Sequence, residues 1–185
     1  MIDDTLLEAE DKMDKAVESA KDDFATIRTG AASAAMFAKV MVDYYGSATP
    51  LQQLASITTP DARTVVISPY DRGAMGDIEA ALRASDLGVN PTNDGTVIRI
   101  NMPQLTEERR KEYVKVAHNR AEEARVVIRN HRRKAKEAIE TAVKEGEVGE
   151  DDGARAEKEL ETLTKQHTES IDTLLAHKES ELLEV

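Results

Sequence analysis

The chain has no cysteine and no tryptophan, and only six of its 185 residues are aromatic. The lack of cysteine excludes disulfide bonds and thiolate catalysis. The scarcity of aromatic side chains leaves Ala, Leu, Ile, Val and Met to build any helical core. No hydrophobic run approaches the length of a membrane span, and the acidic start Met1–Asp4 lacks the basic residues of a signal peptide. The sequence therefore predicts a cytoplasmic protein.

The net charge of −11 is unevenly distributed along the chain. Residues 105–145 have 12 basic and 8 acidic side chains, which is a net charge of +4. The net charge is −5 for residues 1–30, −2 for residues 31–104 and −8 for residues 146–185. Local potential determines where a polyanion docks, so the acidic total does not exclude a nucleic-acid partner.

Three segments have the periodicity of amphipathic helices. The first covers residues 2–29, the second begins after the N-cap residue Thr106 and continues to about residue 145, and the third follows Gly149. None can bury its hydrophobic stripe alone, so the three helices are expected to pack together. The second stripe is narrow and rich in alanine, as in a coiled coil. Its predicted members are Val114, Ala117, Ala121, Ala124, Ile128, His131, Ala135, Ala138 and Ala142, and those of the third stripe are Ala156, Leu160, Leu163, His167, Ile171 and Leu174.

Residues 31–104 have the composition of strands and turns. Strands are predicted near residues 40–44, 64–67 and 96–101, with a helix from Asp71 to about Ala84. Turns are predicted at 46–50 and 90–95. Three tyrosines in this region are expected to pack in the core or against the sheet rather than to form an aromatic surface. They are Tyr44, Tyr45 and Tyr70.

These patterns predict an α+β fold in two domains. Residues 1–30 and 105–185 form an antiparallel three-helix bundle, and residues 31–104 form a small inserted β/α/β domain. A second helix of about 40 residues at ~1.5 Å per residue would be roughly 60 Å long, so an elongated molecule is expected. The chain crosses between the domains twice, and the two crossing strands are predicted to form a hinge. The hinge residues are Arg28, Thr29, Gly30, Ala31, Ala32, Met102, Pro103, Gln104, Leu105 and Thr106.

Five basic residues follow one side of the second helix. They are Arg125, Arg129, Arg132, Arg133 and Lys136. At about 100° per residue they occupy an arc of roughly 100° beside the hydrophobic stripe. No acidic residue lies between Glu123 and Glu137. Arginine binds phosphate through two parallel hydrogen bonds and stacks on bases, so the pattern favours binding to RNA. The alternative is a solvated face whose charges pair with nearby carboxylates.

No residue pattern indicates an enzyme, a metal site or a cofactor. The chain has no glycine-rich phosphate loop, nucleophile elbow or paired general acid and base. His131 and His167 lie on the helix stripes, and His118 and His177 lie elsewhere without ligand spacing. We predict that the stripe histidines are hydrogen-bonded structural residues, because a metal site needs several converging ligands.

Several runs of residues resemble the ribosome recycling factor family, in the family's order and over essentially the whole chain. The acidic ending with Leu182–Val185 is similar to actinobacterial members. The runs that carry the resemblance are Arg28–Gly30, Val42–Gly46, Thr49–Leu51, Leu54–Ile57, Ser85–Gly88, Asn90–Pro91, Asn93–Gly95, Pro103, Leu105–Arg110, Ile128–Asn130 and Arg132–Arg133.

The resemblance implies an L-shaped monomer that hydrolyses nothing itself. It implies that the bundle binds ribosomal RNA of the large subunit and that elongation factor G, with GTP, then drives ribosome dissociation. Carried over by position, Arg129 and Arg132 match the family's main RNA contacts, with Arg110 and Arg133 beside them. Rival interpretations are a helical adaptor for protein partners and a general RNA chaperone. An adaptor would explain the stripes but neither the arginines nor the inserted domain.

The first crossing departs from the family pattern at two positions. Ala31 and Ala34 stand where the family usually has an arginine and a proline. The chain therefore lacks a cation and a fixed φ there. We predict a broad distribution of interdomain angles, with ribosome binding better preserved than ribosome splitting.

Overall fold

The computed structural model describes residues 1–27, 29, 32–102 and 104–184. The chain forms two compact units. The first, the helical unit, contains Met1–Phe24 and Ala117–Lys178, and the second, the mixed unit, contains Ala25–Val116 and Glu179–Val185. The first turns of the second long helix thus belong to the mixed unit. The domain boundaries at residues 30/31 and 104/105 stay a prediction.

Three long helices account for the helical unit. They are α1 (Ile2–Ala25), α4 (Glu107–Lys144) and α5 (Glu150–Leu183). The backbone N–H of Arg109 donates to the Thr106 hydroxyl over 3.1 Å, which confirms the predicted N-cap. Helix α1 ends four residues before the predicted residue 29. Among the described residues, no helix is both long and apolar enough to cross a membrane.

The buried stripes of α4 and α5 follow the predicted ones at most positions, although Val114 and His131 are only half-buried. Ile139 is buried in place of Ala138, and Thr164 and Leu175 are buried more fully than Leu163 and Leu174. The buried positions shift gradually relative to the predicted ones along each helix. The reason is that a helix has 3.6 residues per turn, whereas a regular alternation of steps of three and four averages 3.5.

The mixed unit contains a four-stranded antiparallel sheet with strand order β3-β4-β6-β5 and a separate β1–β2 hairpin. Helix α3 (Met75–Ala84) contacts β1 and β5, and a short helix α2 (Leu51–Leu54) precedes β3. Ile67, Ile78, Ile98 and Ile100 are fully buried in its core. The strands are β1 (Met41–Tyr44), β2 (Ser47–Pro50), β3 (Ala55–Asp61), β4 (Thr64–Pro69), β5 (Pro91–Asn93) and β6 (Ile98–Asn101).

Two segments predicted as turns are wholly or partly strands. Residues 47–50 pair with β1, and residues 91–93 pair with β6. Both strands are short and lie at the edge of a sheet, and their polar and proline-containing sequences have little strand propensity of their own. Pairing with a neighbour determines their conformation. The predicted cap of the α3 region is confirmed, because the Asp71 carboxylate accepts from the backbone N–H of Gly73 over 2.8 Å.

The expectation that the three tyrosines pack in the core is wrong for two of them. Tyr45 and Tyr70 are 80% and 72% exposed. The hydroxyls of Tyr44 and Tyr45 both donate to the Asp71 carboxylate, over 2.9 and 3.3 Å. Tyr45 and Gly46 both have positive φ, as a tight two-residue hairpin turn requires. In this turn the Tyr45 ring faces the solvent.

Two of the described hinge residues, Ala32 and Met102, bond to the β3–β4 turn. The backbone N–H of Ala32 donates to the carbonyl of Ala62 over 2.7 Å, and that of Met102 donates to the carbonyl of Arg63 over 2.6 Å. Met102 and Leu105 are buried, whereas Gln104 and Thr106 are exposed. Four predicted hinge residues lie outside the described residues, namely Arg28, Gly30, Ala31 and Pro103. The hinge therefore stays a prediction.

Substitution of two helical glycines should have opposite effects on stability. A Cβ at Gly153 in α5 would overlap Cγ2 of Val143 in α4, whereas a Cβ at Gly76 in α3 would meet nothing within 4 Å. Gly76→Ala should therefore stabilise the protein by about 0.5–1 kcal/mol. Gly153→Ala should destabilise it by about 1–2 kcal/mol, because overpacking outweighs the gain in helix propensity. Thermal unfolding of both variants tests this, and stabilisation by both would contradict the close approach of α4 to α5.

Candidate nucleic-acid interface

The predicted basic residues lie together on α4 in the helical unit. We call Arg125, Arg129, Arg132, Arg133 and Lys136 the basic face. It flanks Ile128, which is fully buried. The side chains of Arg129, Arg132 and Lys136 are 49%, 39% and 49% exposed, and Arg133 is also exposed. Solvent and a polyanion can therefore reach these four cations.

Carboxylates lie against most of the basic face. One oxygen of Glu122 lies 3.0 Å from Nη1 of Arg129, and its other oxygen lies 3.1 Å from Nη1 of Arg125. Weaker pairs join Arg132 to Glu161 over 3.7 Å and Lys136 to Glu140 over 3.9 Å. Two further hydrogen bonds join Arg125 to Asp172. The absence of acidic residues between Glu123 and Glu137 therefore does not leave the arginines without acidic partners.

The sequence pattern does not reveal these acidic partners, for two reasons. Glu122 precedes the acid-free run 124–136, and it pairs with arginines three and seven positions further along the helix. Asp172 and Glu161 come from α5, about 30 to 50 positions away in sequence, and no spacing rule within one helix reveals them. In the described part of the chain, Arg133 has no ion-pair partner.

Arg125 differs from the other basic residues in its burial. Its side chain is only 20% exposed, and its Nε and Nη2 donate to one oxygen of Asp172 over 3.0 and 2.6 Å. Burial opposes the charge of Arg125, but hydrogen bonds to Asp172 and Glu122 outweigh that effect and raise its pKa. Arg125 therefore joins α4 to α5 and is the member least available to a ligand.

Arg110 lies in the mixed unit, so its surroundings are described separately from the basic face. Its Nε is buried and has no acceptor among the described residues. The groove that Arg110 lines also contains Lys111 and the carboxylates of Glu107 and Glu179. An external anion cannot reach this buried nitrogen, so a phosphate would have to bind the other N–H groups of the Arg110 guanidinium.

The two stripe histidines have different environments. Nδ1 of His167 lies 2.6 Å from the Leu163 carbonyl oxygen and Nε2 lies 2.6 Å from the Asp14 carboxylate, which confirms the predicted hydrogen bonding. His131 has no hydrogen bond in the described part of the chain, so the same prediction is wrong there. Burial lowers the pKa of His131, and the charges of Lys12 and Lys134 lower it further. No group of three potential metal ligands occurs among the described residues.

Replacement of His131 should change the pH dependence of stability while RNA binding stays within a factor of a few. Because the folded pKa is below the unfolded value of about 6.5, the unfolded state binds more protons in the interval between them. The contribution of neutral His131 to the free energy of unfolding is therefore fully present above about pH 6.5. It is lost as the pH decreases through the interval between the two pKa values. Melting temperatures at pH 7.5 and 5.5 should differ less in His131→Leu than in the parent. An unchanged difference, or release of a bound metal, would contradict this interpretation.

The two units define an α+β protein with a bundle of long helices and a small antiparallel sheet unit. A profile of the ribosome recycling factor family matches residues 20–183. The ribosome-recycling factors of Beutenbergia cavernae and Kineococcus radiotolerans are each 66% identical over 185 residues, which is 100% of this chain and of each relative. The chain belongs to the ribosome recycling factor family, and its relatives are actinobacterial.

Two solved structures show the same fold. One is a solution structure of the ribosome recycling factor, which is 42% identical in sequence and has a TM-score of 0.78. The match covers 100% of this chain and 98% of the chain in that structure. The T. thermophilus ribosome recycling factor, in a structure with E. coli elongation factor G on the E. coli post-termination complex, is 41% identical with a TM-score of 0.68. Coverage of both chains is 100% in this second case. The family confirms the predicted fold class and the prediction that the chain is not an enzyme.

Proposed function

We propose that the protein binds the large ribosomal subunit of post-termination complexes. With elongation factor G and GTP it promotes ribosome dissociation and the release of messenger RNA and deacylated transfer RNA in the cytoplasm. The observation that carries this proposal is the basic face, which remains open to solvent at four of its five residues in an otherwise acidic chain. The T. thermophilus relative on a post-termination complex with elongation factor G supports the choice of partners.

The contribution of each basic residue should follow its exposure. Arg129, Arg132 and Arg133 are reachable and have the planar guanidinium that binds two phosphate oxygens. Lys136 adds a point charge beside them, whereas Arg125 holds α5. Arg110 lies apart from the basic face, in the mixed unit, and its assignment as an RNA contact rests on the resemblance to the family.

The decisive experiment combines purified protein, elongation factor G, GTP and post-termination ribosomes. Light scattering should show subunit dissociation that depends on all three additions. The control omits GTP or replaces it with a non-hydrolysable analogue. Binding to large subunits without dissociation would support only the docking part of the proposal, and no binding would reject both parts.

The hinge proposal concerns the two crossings near Ala32 and Met102. Both are held by the same β3–β4 turn, so a change of backbone angles there would move the sheet as one piece. Ala31→Arg, which restores the cation usual in the family, should raise the splitting rate more than it raises thermal stability. Single-molecule distance measurements between labels on the two units, made with a splitting assay, test this. If neither the distance distribution nor the rate changes, position 31 is a neutral surface site.

A further inference from the structure

We propose that Glu122 is an internal competitor for RNA, whose carboxylate occupies the place of a phosphate between Arg125 and Arg129. This inference rests on the proposed function, because it assumes that Arg129 contacts RNA. Glu122 would be a positioning residue: it acts on the ligand through Arg129 and does not itself touch RNA. Its removal should strengthen binding.

The geometry of Glu122 is that of a bridging oxyanion. Each carboxylate oxygen accepts from a different guanidinium, over 3.0 Å from Arg129 and 3.1 Å from Arg125. A phosphate group presents pairs of oxygens in a similar arrangement, and guanidinium groups bind both anions through the same N–H groups. One of the Arg129 nitrogens available to a phosphate, Nη1, is therefore already engaged by Glu122.

The bond from Glu122 to Arg129 is one that a ligand can replace. Both side chains are about half exposed, at 55% and 49%. Solvent screens a pair of this kind, and such pairs contribute little to folding. Arg125 is different, because Asp172 continues to hold it when Glu122 leaves. Release of Glu122 would thus free Arg129 without separating α4 from α5.

The charge of Glu122 persists over the working range of pH. Hydrogen bonds from Arg129 and then Arg125 lower its pKa. Glu122 is therefore ionised at neutral pH and cancels about one of the positive charges on the basic face. A phosphate that binds Nη1 of Arg129 has to displace this carboxylate, and the displacement weakens that complex.

The adjacent residue provides a matched control for the test. Glu123 is exposed and has no ion pair in the described part of the chain. Glu122→Gln and Glu123→Gln change the net charge equally and keep the side-chain length and helix propensity similar. Any difference between the two variants therefore reports the contact with the arginines and not the total charge.

The experiment measures dissociation constants for poly(U) and for purified large ribosomal subunits over a series of salt concentrations. Glu122→Gln should bind both about twofold to fivefold more tightly than Glu123→Gln, in line with the size of exposed ion pairs. Its slope of log affinity against log salt on poly(U) should be steeper by up to about 0.7, as for one more phosphate contact on a single strand.

A double-mutant cycle with Arg129→Ala completes the test. In the Arg129→Ala background the two glutamine variants should bind equally, because Glu122 then has no exposed arginine to release. Equal binding in the parent background, or weaker binding by Glu122→Gln, overturns the inference while the proposed function stands. If Arg129→Ala and Arg132→Ala both leave large-subunit binding unchanged, the basic face is not the docking surface. The proposed function itself fails only if the parent protein does not bind large subunits.

Discussion

Arg132→Ala and Arg129→Ala should each weaken binding to the large ribosomal subunit by about 1–3 kcal/mol, the value of a lost charge-assisted hydrogen bond to phosphate. Folding should change little, since both side chains lie beside the buried stripe and their ion pairs are largely exposed. Arg129→Ala should have the smaller effect, because binding already has to replace its bond to Glu122.

Co-sedimentation with large subunits over a salt series measures this effect. Arg83→Ala is a suitable control, because Arg83 is an exposed arginine of α3 with its own ion pair to Glu79. Binding of the parent should weaken as salt rises, through release of counterions from the RNA. Equal co-sedimentation of the parent, Arg129→Ala and Arg132→Ala at every salt concentration would exclude the basic face as the docking surface.

Ile128→Ala should lower the free energy of unfolding by about 2–5 kcal/mol, because it leaves a cavity in the centre of the helical unit. Ile128 is fully buried, and its neighbours in the stripe, Ala121 and Ala124, are too small to fill the space. In a chain of this size each kcal/mol corresponds to about 2–4 °C in melting temperature. A loss of roughly 5–15 °C is therefore expected.

Val127→Ala provides the matched control for Ile128→Ala. Val127 is the preceding residue on the same helix and is 43% exposed. It should cost less than about 1 kcal/mol, since little buried surface is lost and alanine is the better helix former. Similar melting temperatures for the two variants would mean that α4 packs through a different side, and the position of the basic face would then need revision.

The sequence by itself determined the elements that depend on local physics. The presence of three long helices, the N-cap at Thr106 and the cap at Asp71 follow from periodicity and from side-chain hydrogen bonding within a few residues. The clustering of the basic face on one side of α4 follows from the angle of about 100° per residue. Long-range contacts are not needed for any of these.

The tertiary structure alone decided which residues pair across distance. The edge strands β2 and β5 form because neighbours supply hydrogen bonds, although their own sequences indicate turns. Tyr45 faces solvent because the hairpin turn and Asp71 hold it there. The carboxylate of Asp172 reaches Arg125 from another helix, and that contact separates a structural arginine from the exposed ones. Such pairings depend on how helices and strands meet in space, and the order of residues within one element does not specify them.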